Sequence, residues 1–212
     1  MLLIRVLAAL VCITLHELSH GYVAYRLGDQ TARASGRLTL NPIRHIDPFG
    51  LLMLVVAGVG WAKPVPVDPR NFRNPKRGMA ITALAGPVAN FIIALVALFA
   101  GNPVFRAYYA SSAPSPVLYY ILIFLIRCAM LSVGLGIFNL IPIPPLDGSK
   151  VVFALLPDRV YFTILRYERY IMIALFALVF FGVLDAPLHF VIGHVLRLFC
   201  LITGFPSSVF GY

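Results

Sequence analysis

His16-Glu17-Leu18-Ser19-His20 places two histidines four residues apart with a carboxylate between them. Imidazoles at that spacing share one helical face and can bind a single Zn²⁺, while the glutamate can polarise a water held there. A catalytic zinc takes three protein ligands and leaves a fourth position open. Asp29, His45, Asp47 and Asp147 are the candidates for the third. Asp147 ranks first, because Pro142, Pro144 and Pro145 break a helix just before it and Gly148 lets the backbone behind it come close. Asp47, beside Pro48, ranks second. Asn90 and Asn139 are amides within apolar stretches; they could hold a substrate backbone or an oxyanion, or simply join helices.

These groups are expected to sit in membrane-spanning elements. Of 212 residues, 60% are hydrophobic and only 12% charged, with a mean hydropathy of +0.90, a profile of an integral membrane protein. Between Leu2 and Thr14 the only charge is Arg5, so the histidine motif falls toward the end of a membrane helix, Leu2–Leu27. Ionisable groups at such a depth are expensive and usually functional. A polar, basic stretch from Gln30 to Asp47 follows. Met79–Gly101 and Val117–Leu140 read as further spans, and Ile171–Leu184 with Leu188–Thr203 as a helical hairpin after a basic loop, Lys150–Arg169. Phe49–Ala62 is apolar but too short to cross a ~30 Å hydrocarbon core comfortably. It reads as a re-entrant or interfacial hairpin, followed by a short extended edge at Lys63-Pro64-Val65-Pro66-Val67. The expected fold is an all-α polytopic membrane protein of about five transmembrane helices plus that hairpin. It forms one domain over 1–212, with a catalytic core at 1–150 and a basic loop and hairpin at 151–212.

The net charge of +9 is segregated. Nine of the seventeen Lys and Arg lie between Arg26 and Arg77, and four more between Lys150 and Arg169. Such clusters mark cytoplasmic loops lying against anionic headgroups of membrane lipids, and no soluble fold is present that would turn them to nucleic acid. With both clusters cytoplasmic, His16, His20 and Asp147 fall at similar depth near that side. Cys12, Cys128 and Cys200 lie scattered in apolar stretches without a CxxC pair, as core residues do. The first apolar run leads straight into His16 without a small-x-small cleavage site, so it is not expected to be a signal peptide.

Three stretches together resemble the signatures of the site-2 protease family: His16-Glu17-Leu18-Ser19-His20-Gly21, Gly86-Pro87-Val88-Ala89-Asn90, and Phe138-Asn139-Leu140-Ile141-Pro142-Ile143-Pro144-Pro145-Leu146-Asp147-Gly148. Asn41-Pro42-Ile43-Arg44-His45-Ile46-Asp47-Pro48-Phe49-Gly50 and Gly60-Trp61-Ala62-Lys63-Pro64-Val65-Pro66-Val67 are similar to its compact bacterial subgroup, which lacks PDZ and CBS domains. The resemblance implies an intramembrane zinc metalloprotease of the cell membrane, a bacterial inner membrane, acting on transmembrane protein substrates. It implies His16, His20 and Asp147 as metal ligands and Glu17 as general base. A zinc-dependent membrane hydrolase of another substrate class, or a non-enzymatic scaffold, are the alternatives.

Overall fold

A long apolar run with no proline and a single glycine carries helix α1 from Leu2 to Arg26. It stops where Gly28 takes φ +107°, a conformation side chains disfavour. This computed structural model describes residues 1–50, 53, 61–113 and 115–211. After α1 the carboxylate of Asp29 accepts from the Thr31 backbone N–H at 3.0 Å and opens the single turn α2, Thr31–Ala34. The same carboxylate takes the Asn71 amide at 2.7 Å and the Asp68 backbone N–H at 2.9 Å. One fully buried acid thereby ties the end of α1 to the loop that leads into the next long helix.

Helix α3, Pro75–Ala110, begins with Asn74 accepting from the Arg77 N–H and proline at its first position. At 36 residues and ~1.5 Å per residue it is longer than a bilayer core is thick, and it overruns the expected span of 79–101 at both ends. Helix α4, Pro116–Asn139, starts the same way on Ser115 and ends before the prolines at 142, 144 and 145. Short α5, Asp147–Phe153, follows, then α6, Asp158–Phe180, and α7, Asp185–Thr203.

Four of these helices (α1, α3, α4 and α7) are long and apolar enough to cross a membrane, against the five expected. The basic stretch 150–169 is not a loop. Most of it lies in α5 and in the first half of α6, because Arg and Glu at Arg159, Arg166, Glu168 and Arg169 are good helix formers that charge alone disguises. Their charge also keeps α6 from reading as a span. The break between α6 and α7 falls at Phe181–Leu184, with Gly182 at φ +69°, rather than at 185–187.

The two ends of the short apolar segment meet. Ile46 and Ala62 form an antiparallel bridge, and the Lys63 N–H donates to the His45 carbonyl at 2.9 Å. The chain thus returns to the level it left. Most of the segment between, where the re-entrant hairpin is expected, lies outside the described residues.

Small side chains let α1, α3 and α4 approach closely. Ala8, Cys12, Ala94 and Ala129 are all but completely buried at their crossings. Ser132 Oγ donates to Cys12 Sγ at 3.1 Å, and all three cysteines are free and buried. This packing brings the C-terminal end of α1, the N-terminal half of α3 and the start of α5 together at one end of the bundle.

Candidate active site

His16 and His20 point from successive turns of α1 toward the same spot. Their Nε2 atoms stand 3.1 Å apart. Asp147, the first residue of α5, reaches that spot from the far side, with Oδ2 3.3 Å from His16 Nε2 and 3.0 Å from His20 Nε2. All three residues are buried. A tetrahedral zinc with bonds of ~2.0–2.1 Å holds its ligand atoms ~3.3 Å apart, so the donor set, two imidazoles and a carboxylate, fits that ion in both type and spacing. Among the described residues this is the sole such cluster of His, Cys, Asp and Glu.

Each of the three is held from behind. His20 Nδ1 donates to the Thr82 carbonyl of α3 at 2.7 Å, which turns Nε2 toward the cluster. His16 Nδ1 lies 3.0 Å from Nδ2 of Asn90, which is fully buried. The second oxygen of Asp147 accepts from Lys150 Nζ at 3.2 Å, three residues along α5. Burial by itself would raise the Asp147 carboxyl, but the hydrogen bonds with His16 and His20 outweigh it and hold the group well below the usual carboxylate range.

Two glycines create the room. A Cβ on Gly86 would overlap His20 Nε2 and lie 2.5 Å from His16 Cε1, so α3 can back onto the two rings only where it has no side chain. A Cβ on Gly148 would collide with the Leu140 carbonyl and come within 2.8 Å of the Ile141 oxygen. The chain doubles back on itself there, and the doubling turns Asp147 inward.

Glu17 follows His16 on α1, and its Oε2 accepts the Val65 backbone N–H at 3.0 Å. The segment 63–67 therefore lies across the carboxylate. An apolar cavity of about 170 Å³ is bounded by Leu10, Ile13 and Thr14 of α1, Leu131 and Leu135 of α4, and Ala62; Glu17 and the three cluster residues do not line it.

The other sequence candidates fall elsewhere. Asp29 caps α2, Asp47 accepts from the Gly50 N–H, and buried His45 pairs through Nε2 with the Thr39 carbonyl at 2.9 Å. Asn139 donates to the Leu135 carbonyl of its own helix. Thr82 and Lys150 lie outside the motifs quoted above, and Gly86 and Val65 lie within them but were expected to play no part of their own at the ligand cluster. Of these only Gly86, a small residue inside a membrane span, has a signal that marks close helix approach.

A model of peptidase family M50 matches residues 4–115 and 101–182. The chain is 41% identical over 165 residues to "Putative zinc metalloprotease YwhC" of Bacillus subtilis, covering 78% of this chain and 74% of that one. It is 35% identical over 144 residues to "Putative zinc metalloprotease Rip2" of Mycobacterium tuberculosis (66% of this chain, 52% of the relative). It is 29% identical over 149 residues to "Zinc metalloprotease MJ0392" of Methanocaldococcus jannaschii (70% of this chain, 33% of the relative). No solved structure matches the chain. With four apolar helices around a buried two-histidine, one-aspartate cluster and those relatives, the chain belongs to peptidase family M50, the site-2 protease family of membrane zinc metalloproteases.

Proposed function

We propose that this metalloprotease cuts peptide bonds within or next to transmembrane segments of other membrane proteins, on the cytoplasmic side of the cell membrane. His16, His20 and Asp147 hold the zinc and Glu17 is the general base. In this reading residues 1–150 form the catalytic core of a single domain, and 151–212 complete it. The observation that carries it is the convergence of three ligand atoms to within 3.0–3.3 Å of one another beside Glu17, at the basic end of a bundle of membrane-length helices.

Zinc in this site supplies a Lewis acid that acidifies a water toward pKa ~7 and polarises the scissile carbonyl. With zinc held there, Glu17 would serve as the base that takes up a proton from the attacking water and returns it to the departing amine. The Val65 N–H, fixed on Oε2, orients the carboxylate and leaves Oε1 for the exchange. In this reading Asn139, at the end of α4, uses the amide hydrogen not bonded to the Leu135 carbonyl to donate to the substrate backbone or the oxyanion.

The segment over Glu17 restricts how a substrate docks. Pro64 and Pro66 have no amide hydrogen, and those of Lys63 and Val65 are held by the His45 carbonyl and Glu17. Residues 63–66 can therefore offer an incoming chain carbonyl acceptors only, so the substrate strand must donate. The substrate helix must also unwind locally, since its peptide groups are otherwise bonded within the helix.

The test compares purified wild type with Glu17→Gln and Asp147→Asn for zinc content and for cleavage of a model transmembrane substrate. Wild-type cleavage, lost with zinc retained in Glu17→Gln and lost with weakened zinc in Asp147→Asn, is the expected result. Zinc binding without cleavage of any membrane-embedded peptide would move the enzyme to another substrate class. Absence of zinc binding by wild type would refute the site.

A further inference from the structure

We propose that Asn90 is a positioning residue for His16, and that its side-chain amide turns over when metal enters the site. This rests on the reading of His16 as a zinc ligand. Asn90 sits on α3 one turn beyond Gly86, is wholly buried, and places Nδ2 3.0 Å from His16 Nδ1. Its Oδ1 is buried and has no hydrogen-bond partner. In that arrangement His16 Nδ1 accepts, so the ring's proton is on Nε2, the atom facing Asp147 Oδ2 at 3.3 Å. That proton then lies between His20 Nε2 at 3.1 Å and Asp147 Oδ2 at 3.3 Å.

A metal on Nε2 requires the opposite tautomer. The proton moves to Nδ1, and Nδ1–H needs an acceptor behind it, as metal-bound histidines almost always have. His20 already has a fixed one, the Thr82 carbonyl. Behind His16 the polar group is Asn90, and a half-turn of its planar amide exchanges the unpartnered Oδ1 for Nδ2 within the same volume. Asparagine suits both states because it carries a donor and an acceptor of the same shape. Aspartate would suit the metal-loaded state alone, and leucine neither.

The experiment measures the zinc dissociation constant by chelator competition for wild type, Asn90→Asp and Asn90→Leu in detergent, with far-ultraviolet circular dichroism and size-exclusion profiles as folding checks. Loss of the acceptor in Asn90→Leu is expected to weaken zinc about 10- to 100-fold, while Asn90→Asp binds at least as tightly as wild type. A role in packing alone would not produce that order. Wild-type affinity in Asn90→Leu, or an equal loss in Asn90→Asp, would overturn the inference while leaving the zinc site standing. No zinc binding by wild type would instead refute the reading beneath it. Should Asn90→Leu fail to fold, ¹⁵N-histidine spectra of wild type decide: His16 carries its proton on Nδ1 with zinc and on Nε2 without. Protonation of Nε2 in both conditions would refute the turnover.

Discussion

Gly86 gives the sharpest test of how the bundle builds the site. In Gly86→Ala the new methyl would overlap His20 Nε2 and stand 2.5 Å from His16 Cε1. Carbon atoms in contact sit at ~3.5–4.0 Å, so α3 or the rings must retreat by about 1 Å. The ligand atoms are 3.0–3.3 Å apart as they stand. Metal bonds tolerate only about ±0.2 Å, so a ring displaced that far no longer reaches its position. Overpacking of this kind costs about 1–3 kcal/mol. If that penalty falls on the metal-loaded state, zinc affinity drops by about 5- to 150-fold, at 1.4 kcal/mol per factor of ten. Gly134→Ala is the matched control, since a Cβ there meets only Ile192 Cδ1 at an ordinary 3.7 Å. The assay is chelator competition for zinc together with cleavage of a model transmembrane substrate. Wild-type zinc affinity in Gly86→Ala would refute the argument, because it would show that the helices have slack where none is seen.

Gly148→Ala should behave like Gly86→Ala from the other side, misplacing Asp147 as its Cβ meets the Leu140 and Ile141 carbonyls; zinc affinity checks it. Glu17→Gln should retain zinc but lose cleavage by about 10²- to 10⁴-fold, the usual contribution of a general base, read from kcat/KM. Asp29→Asn should destabilise the protein by about 1–3 kcal/mol, since an amide replaces one of two oxygens of a fully buried carboxylate that both accept hydrogen bonds. Burial alone would raise the Asp29 carboxyl, but the hydrogen bonds of Thr31, Asn71 and Asp68 bring it below its ordinary value. Its stabilising effect is therefore complete above the unfolded pKa near ~3.9 and fades as pH falls through the lower folded value. Thermal melts of wild type below pH ~4 should show that loss, and the Asp29→Asn substitution should flatten it.

What could be read from the chain was what a single element reports about itself. The spacing of His16 and His20 fixes their shared face on any helix, and the prolines at 142, 144 and 145 announce that the chain breaks before Asp147. The apolar runs mark α1, α3, α4 and α7. Relations between elements were another matter. No pattern within α3 says that the Thr82 carbonyl backs His20 or that Asn90 backs His16, because those partners come from a neighbouring helix whose rotation the local sequence does not state. Charge also misled: Arg159 to Arg169 read as a loop although the same residues favour a helix.

Electrostatics explains why these scattered supports belong together. Glu17 and Asp147 are two carboxylates that are each less than a tenth exposed, and buried charge of one sign calls for a compensating charge close by. The balancing charge within the protein is Lys150, which is half in solvent and pairs with Asp147. A divalent cation on the proposed ligands would bring the formal sum for the two carboxylates and the ion to zero with both histidines neutral. It would also let Glu17 remain a base while Asp147 remains a ligand. The residues that hold the ligands in place thereby serve the glutamate, which is not itself a ligand: Gly86 and Gly148 let the cluster close, Thr82 and Asn90 direct the rings, and Val65 fixes the carboxylate that does the chemistry. A change at Gly86 or Gly148, or Asn90→Leu, should lower zinc affinity and activity while all four proposed catalytic groups are still present. The Thr82 and Val65 contacts are main-chain, so Val65→Pro, which removes the N–H on Glu17, is the change that should lower activity with zinc affinity intact.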